Sequence, residues 1–156
     1  RDPKTGATTT TYTYYYNDII AFKVGVDGGF DWLKKLNKYQ VSTNDGGPYS
    51  SYARFVDDGK LCFIFNDHVK NYDEQGKFLD ADKTYPANFG KKKNVVAIVE
   101  VDLEDGAISR KTFFDRQEIT ALAVPKMFHI DYKTNEMLLY AVYGKKERFG
   151  ILKFNE

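Results

Sequence analysis

Asp67 and His68, followed closely by Asn71, Tyr72 and Asp73, bring oxygen and nitrogen donors together at the start of the longest loop, 66–93. Oxygen-rich side chains could ligate a calcium ion, and with aromatic rings beside them could bind a sugar. A smaller pair, Asn44 and Asp45, lies in the loop 40–51 and offers the same chemistry. These seven residues are the candidate ligand-binding set. Metal spacing among them is weak. Asp67-His68 followed by Asp73 fits no zinc or EF-hand pattern, and Asp80-Ala81-Asp82 lacks the glycine and distal glutamate of a calcium loop. No metal and no cofactor is expected. There is likewise no G-x-S-x-G, no phosphate-binding loop and no dinucleotide fingerprint. Cys62 sits in the apolar run LCFIF and reads as a small core residue. A nucleophilic role would need a histidine, and neither His68 nor His129 stands in a catalytic signature. Glycoside hydrolysis needs two carboxylates at a set separation, which sequence does not show for any pair of the 22 acids. No catalytic residue is assigned.

The composition narrows the partners. Twenty-three basic residues against 22 acidic ones give a net charge of +1, without the excess that draws a protein to nucleic acid. No apolar run reaches the roughly 20 residues that span a bilayer, so no transmembrane segment is expected. At 156 residues, 42% hydrophobic and 16% aromatic, the chain is expected to fold as one domain with a real core. It opens on Arg1 rather than Met, so a targeting segment of a longer precursor would lie out of view.

Strands must position the candidate residues, because the apolar runs are short, β-branched and aromatic, and are broken by Asp, Asn and Gly. Four hairpins follow in order. Residues 18–26 meet Asp27-Gly28-Gly29 and then 30–40; residues 52–56 meet Asp57-Asp58-Gly59 and then 60–66. Residues 95–103 meet Glu104-Asp105-Gly106 and then 107–115; residues 127–131 meet YKTN and then 136–143. Glycine supplies the positive φ that such turns require. A ninth run, FGILKF, spans 149–154. WLKKLNKY also admits a short helix, and strand is the preferred reading. The Thr- and Tyr-rich stretch 8–18 is expected to pair within the fold, and Lys91-Lys92-Lys93 to be a solvated run.

A shift of 77 residues lays Asn17 on Asn94, Lys23 on Glu100, Val24 on Val101, Gly29 on Gly106, Lys34 on Lys111 and Leu36 on Phe113. A shift of 76 lays Leu61, Cys62 and Phe63 on Met137, Leu138 and Leu139, and the end of the chain, GILKF, echoes Ile20–Val24. Two hairpins per copy is the plan of a four-stranded propeller blade. The expected organisation is one unit over 17–67, a long loop over 67–93, a second unit over 94–143 and a closing strand over 149–154. All of this makes one all-β domain or a propeller fragment; a single barrel or sandwich is the alternative. Two blades close no ring, so a longer propeller with blades N-terminal to these, or a homo-oligomer, is expected.

Asp27-Gly28-Gly29-Phe30-Asp31-Trp32 resembles the D-x-G-x-x-W turn of bacterial propeller repeats, including the Asp-box of sialidase-type propellers. The serine expected before the aspartate is Gly25, and in the second copy Glu104 and Ser109 replace the aspartate and tryptophan. Such turns brace a blade: the acid caps turn amides and the indole packs on a neighbouring sheet. More broadly, YYYNDIIAFKV, DWLKKL, SSYARFVDDGKLCFIFND and GILKF resemble the C-terminal part of uncharacterised secreted or surface proteins of Bacteroidetes-type bacteria. That resemblance implies an extracytoplasmic location, periplasmic, surface-associated or secreted. It brings no activity.

In a propeller the loops 40–51, 66–93, 117–125 and 144–148 would open on one face. The second is long enough to be functional or self-anchored. Its residues favour a solvated excursion pinned by its own aromatics over an open site. The functional expectation is therefore a non-enzymatic binding or scaffold module recognising carbohydrate or protein. A glycosidase or sialidase-like hydrolase and a small-ligand barrel are the rivals.

Overall fold

The computed structural model describes residues 6, 8–79, 82–89, 93–114 and 121–155. Strands dominate it: β1 (Thr13–Tyr16), β2 (Ile19–Val24), β3 (Phe30–Leu36), β4 (Gln40–Thr43), β5 (Ala53–Asp57) and β6 (Lys60–His68) precede the long loop. After it come β7 (Asn94–Asp102), β8 (Ile108–Thr112), β9 (Leu122–Ala123), β10 (His129–Asp131), β11 (Glu136–Tyr143) and β12 (Lys146–Lys153). The fold is all-β, with short 3-10 turns at Val69–Asn71 and Pro125–Met127. No helix among the described residues is long and apolar enough to cross a membrane.

Among the described residues the strands form four antiparallel sheets: β1-β4, β2-β3, β5-β6-β7-β8, and β10-β11-β12 with β9 also on β11. None closes on itself, and β1 pairs with β4 rather than with β12. The single-barrel alternative is thereby corrected. The reason is that the sheets meet through their side-chain faces instead of their edges. Ile19, Ala21, Trp32 and Leu36 of the first hairpin pack on Phe63, Phe65, Ala97, Val99 and Val101. The opposite face of that central sheet, with Phe55, Cys62, Ile64, Val96 and Ile98, packs on Ala123, Met137 and Phe154. Three sheets are stacked, and the middle one is buried on both sides. This is why β6 and β7 read as nearly unbroken apolar runs rather than alternating ones.

The segment Trp32–Leu36 is strand, because Trp32 and Leu36 face the core at the strand period of two. The central sheet draws β5 and β6 from residues 17–67 and β7 and β8 from 94–143, so both sequence units share one sheet. His68 and Asn94 are paired directly, and the long loop leaves and re-enters at the same sheet end. Stretch 8–18 contributes β1, which pairs with β4 from Thr13↔Thr43 to Tyr16↔Gln40.

The Asp27 turn is a brace. Its carboxylate accepts from Gly29 N at 3.0 Å, while Gly25 N donates to Gly29 O at 2.8 Å. The Trp32 indole donates to Leu103 O at 3.4 Å, across the boundary to the central sheet. There it lies on Gly106, whose φ of 72° and bare Cα leave room for the ring.

Candidate functional site

Asp67 ends β6 with its side chain buried beneath the long loop. A buried carboxylate must be fully hydrogen-bonded or its desolvation is uncompensated. Asp67 meets that condition with four donors. His68 N and Asn71 Nδ2 donate to Oδ1 at 2.7 and 2.8 Å, Tyr72 OH donates to Oδ2 at 2.7 Å, and Arg110 forms an ion pair through Nη2. Arg110 reaches in from β8, also donating to Tyr72 OH at 2.9 Å and Asn37 O at 2.5 Å. Its guanidinium lies over the Phe78 ring, 3.9 Å from the centroid. Burial pushes the Tyr72 hydroxyl well above its ordinary pKa, helped by the Asp67 charge and opposed by Arg110. The phenol stays protonated and remains a donor.

Asn71 extends this network into the loop. Its Nδ2 donates to Tyr85 O at 3.1 Å and its Oδ1 accepts from Tyr85 N at 2.7 Å. The Asn71 amide thus replaces a strand partner for a loop residue fourteen positions away. His68 stacks on the Tyr85 ring at 5.6 Å, and its Nδ1 accepts from Lys70 N. Burial lowers the His68 pKa against the pull of Asp67, so the neutral ring that accepts from Lys70 is favoured. Asp73 caps its own turn, accepting from Lys77 N at 2.8 Å. Four of the seven candidates (Asp67, His68, Asn71, Tyr72) are therefore brought together, and they hold the loop to the sheet.

Asn44 and Asp45 lie elsewhere. Asn44 Oδ1 accepts from Tyr12 N at 2.8 Å, and Asp45 Oδ1 accepts from Gly47 N at 2.8 Å, which fixes the turn after β4. They do not join the Asp67 group. Among the described residues, no three His, Cys, Asp or Glu side chains gather so as to hold a metal ion. Asp80, Ala81, Lys91, Lys92 and residues 117–120 of the 117–125 loop lie outside the described residues. Cys62 is buried, and that burial pushes its thiol up to about 12, leaving it a poor nucleophile.

Sequence reasoning passed over Lys38, Gln40, Asn66 and Arg110, all of which are largely buried polar groups. Lys38 Nζ donates to Tyr16 O at 2.5 Å and to Gln40 Oε1 at 3.0 Å; Gln40 Nε2 donates to Asn66 O at 2.8 Å. Asn66 in turn donates to Tyr49 O and Ala123 O and accepts from Ala123 N at 3.0 Å. This chain of amides ties the β4 region and β9 to the end of β6.

Lys38 also borders an open cleft of about 710 Å³ lined by Tyr15, Asn17, Asp18, Lys35, Asn37, Lys38, Tyr39, Asp82 and Thr84. Asp18 pairs with Lys35 at 3.0 Å and accepts from Lys38 N at 3.1 Å. Burial works to raise the Asp18 pKa, but these bonds and the lysine charges outweigh it and hold it below its ordinary value. Burial drives the Lys38 ammonium the other way, from 10.5 down to about 8, despite the attraction of Asp18 and Asp67. Below pH 8 the amine is charged whether the chain is folded or unfolded, and the folded state carries the desolvation penalty. Between 8 and 10.5 the unfolded chain binds more protons, so this residue's contribution to stability rises with pH. A carbon-detected titration of the lysine Cε resonances is expected to show one lysine with a midpoint near 8. A midpoint in the ordinary lysine range for all of them would contradict the burial.

The cleft gathers charged, amide and hydroxyl groups with two exposed tyrosines, Tyr15 and Tyr39. Such a surface can stack on a ring and hydrogen-bond its substituents. A narrower apolar cavity of about 430 Å³ lies between β7 and β12, bordered by Phe113, Phe128 and Leu139. The chain matches no family model, no curated protein and no solved structure.

Proposed function

We propose that the chain is a non-enzymatic binding module on a propeller-like stack of an extracytoplasmic bacterial protein, and that its ligand is a carbohydrate. The cleft of Tyr15, Asn17, Asp18, Lys35, Lys38, Tyr39, Asp82 and Thr84 is the observation that carries the reading. Saccharides are bound by aromatic faces flanked by fixed polar groups, and Tyr15 and Tyr39 provide the faces here. The long loop's own polar residues are committed to anchoring it, so the ligand role moves from the Asp67 group to this neighbouring cleft. Three stacked antiparallel sheets and the 77-residue repeat support the propeller-like reading.

Titration calorimetry after a glycan-array screen tests the proposal. A saccharide is expected to bind, and Tyr15→Ala is expected to weaken it about tenfold through loss of one stacking surface. Because Tyr15 is well exposed on β1, the melting temperature should hardly change. Absence of any saccharide ligand, or affinity unchanged in Tyr15→Ala, overturns the reading.

A further inference from the structure

Among the described residues, the two outer sheets of the stack each leave one face bare, and the middle of each bare face is apolar. On the first hairpin, Ile20, Phe22 and Val24 of β2 stand beside Leu33 and Phe30 of β3, each more than half exposed. Phe22 pairs with Leu33 and Val24 with Phe30, and the two phenylalanine rings meet edge to face at 5.4 Å. On the last sheet, Leu138 pairs with Ile151 and Tyr140 with Phe149; Phe149 and Ile151 are 66% and 64% exposed. Single exposed apolar residues need no explanation, but contiguous faces of this kind mark an interaction surface.

The repeat says what covers them. Under the shift of 77, Ile20, Phe22 and Val24 correspond to Ala97, Val99 and Val101. Those residues are buried on the central sheet, beneath the first hairpin. Under the shift of 76, Leu138 and Tyr140 correspond to Cys62 and Ile64. Those are buried on the opposite side of the central sheet, beneath the last sheet. The internal boundaries each join a face of the Cys62–Ile64 kind to one of the Val99 kind: Ile19 and Ala21, which meet the Val99 face, correspond to Val96 and Ile98 beside Cys62 and Ile64. One bare face of each kind remains, at opposite ends of the stack.

We propose that two copies of this chain associate head to tail, the bare β11–β12 face of one covering the bare β2–β3 face of the next. The contact continues the packing already present at both internal boundaries; of the cleft residues, Lys35, paired with Ile20, lies at the edge of the β2–β3 face. It is heterologous: different faces meet, so copies either close into a ring or add one after another.

Sedimentation velocity on the chain, with Phe22→Lys and Phe149→Lys, tests this. The unsubstituted protein is expected to sediment as multiples of 18.0 kDa, populated increasingly with concentration. Each lysine variant alone should be monomeric, its association weakened about a hundredfold or more by an unpaired charge on the apolar face. An equimolar mixture should form a one-to-one dimer that stops there, because each variant keeps one intact face of opposite kind. Both positions are exposed in the single chain, so the variants should keep the native circular dichroism spectrum; Ile20→Lys and Ile151→Lys replace either one that does not. A protein monomeric at its highest soluble concentration overturns the proposal. So does a mixture that fails to dimerise, or either single variant that remains a dimer, since that would signal like faces meeting like.

Discussion

Replacing Arg110 by methionine is expected to destabilise the protein by about 3–5 kcal/mol, the range for breaking a buried ion pair from one side. Methionine fills much of the volume over Phe78, so the loss is chiefly electrostatic. Asp67 keeps its bonds to His68 N, Asn71 and Tyr72, but its charge loses the cation paired with it in a site closed to water. Arg110→Lys should recover only part of this, because an ammonium does not reproduce the three-way contact to Asp67, Tyr72 and Asn37. Urea unfolding measures the loss, and an unchanged slope would show that two-state behaviour persists. Adding Asp67→Asn to Arg110→Met should restore stability relative to Arg110→Met alone, because the stranded charge is then removed and the amide keeps one acceptor for His68 N. A loss under about 1 kcal/mol for Arg110→Met would mean the pair behaves as an exposed one, and the buried network would be refuted. Hydrogen exchange should localise the effect: the Tyr85 amide, held by Asn71 Oδ1, should lose protection before the amides of β7.

The second large effect is expected at Gly106. A Cβ there would stand 2.8 and 2.9 Å from Trp32 Cγ and Cδ2 and 2.7 Å from Lys34 Cε. The lysine end can swing aside, but the indole is held by its bond to Leu103 O and by the core around it. Gly106→Ala must also adopt a φ of 72°, which costs an L-residue about 1–2 kcal/mol. Overpacking adds about 1–3 kcal/mol. For a domain of this size each kcal/mol lowers the melting temperature by about 2–4 °C. Gly28→Ala is the control: its φ is 83°, but a Cβ would meet nothing within 4 Å, so only the backbone part should appear. Trp32→Leu should cost less in the Gly106→Ala background than alone, because the collision is then relieved. Equal losses at Gly28 and Gly106 would show that the indole does not rest on the turn.

These two sites differ in how far sequence reveals them. The Asp27–Trp32 turn was legible, because a capping acid, a glycine and an indole at that spacing carry their geometry locally. Gly106 was legible as the glycine of the third hairpin turn, though not as the surface on which Trp32 lies. Arg110 was not legible at all. It stands in AISRKTFFD, where basic residues read as the solvated side of a strand, and its partner is 43 positions away. Only the pairing of β7 with β8 puts it on the side over which the long loop folds. Lys38 escaped for the same reason: a lysine between Asn37 and Tyr39 looks exposed until β1 and β4 enclose it. The seven candidate residues stand out by chemical type, and type does not distinguish an open donor from one already bonded within the fold.

What the amino-acid order determined by itself was the all-β class and the four hairpins. Each depends on contacts between residues close in the chain: alternation along a strand, and glycine at positive φ between two runs. Tertiary structure alone decided which hairpins share a sheet and which faces are covered. It put Asp67 under the loop and Tyr15 on an open cleft. Those outcomes rest on packing between side chains tens of residues apart, where burial follows from the apolar area that whole sheets remove from water together, a quantity no short stretch of sequence contains.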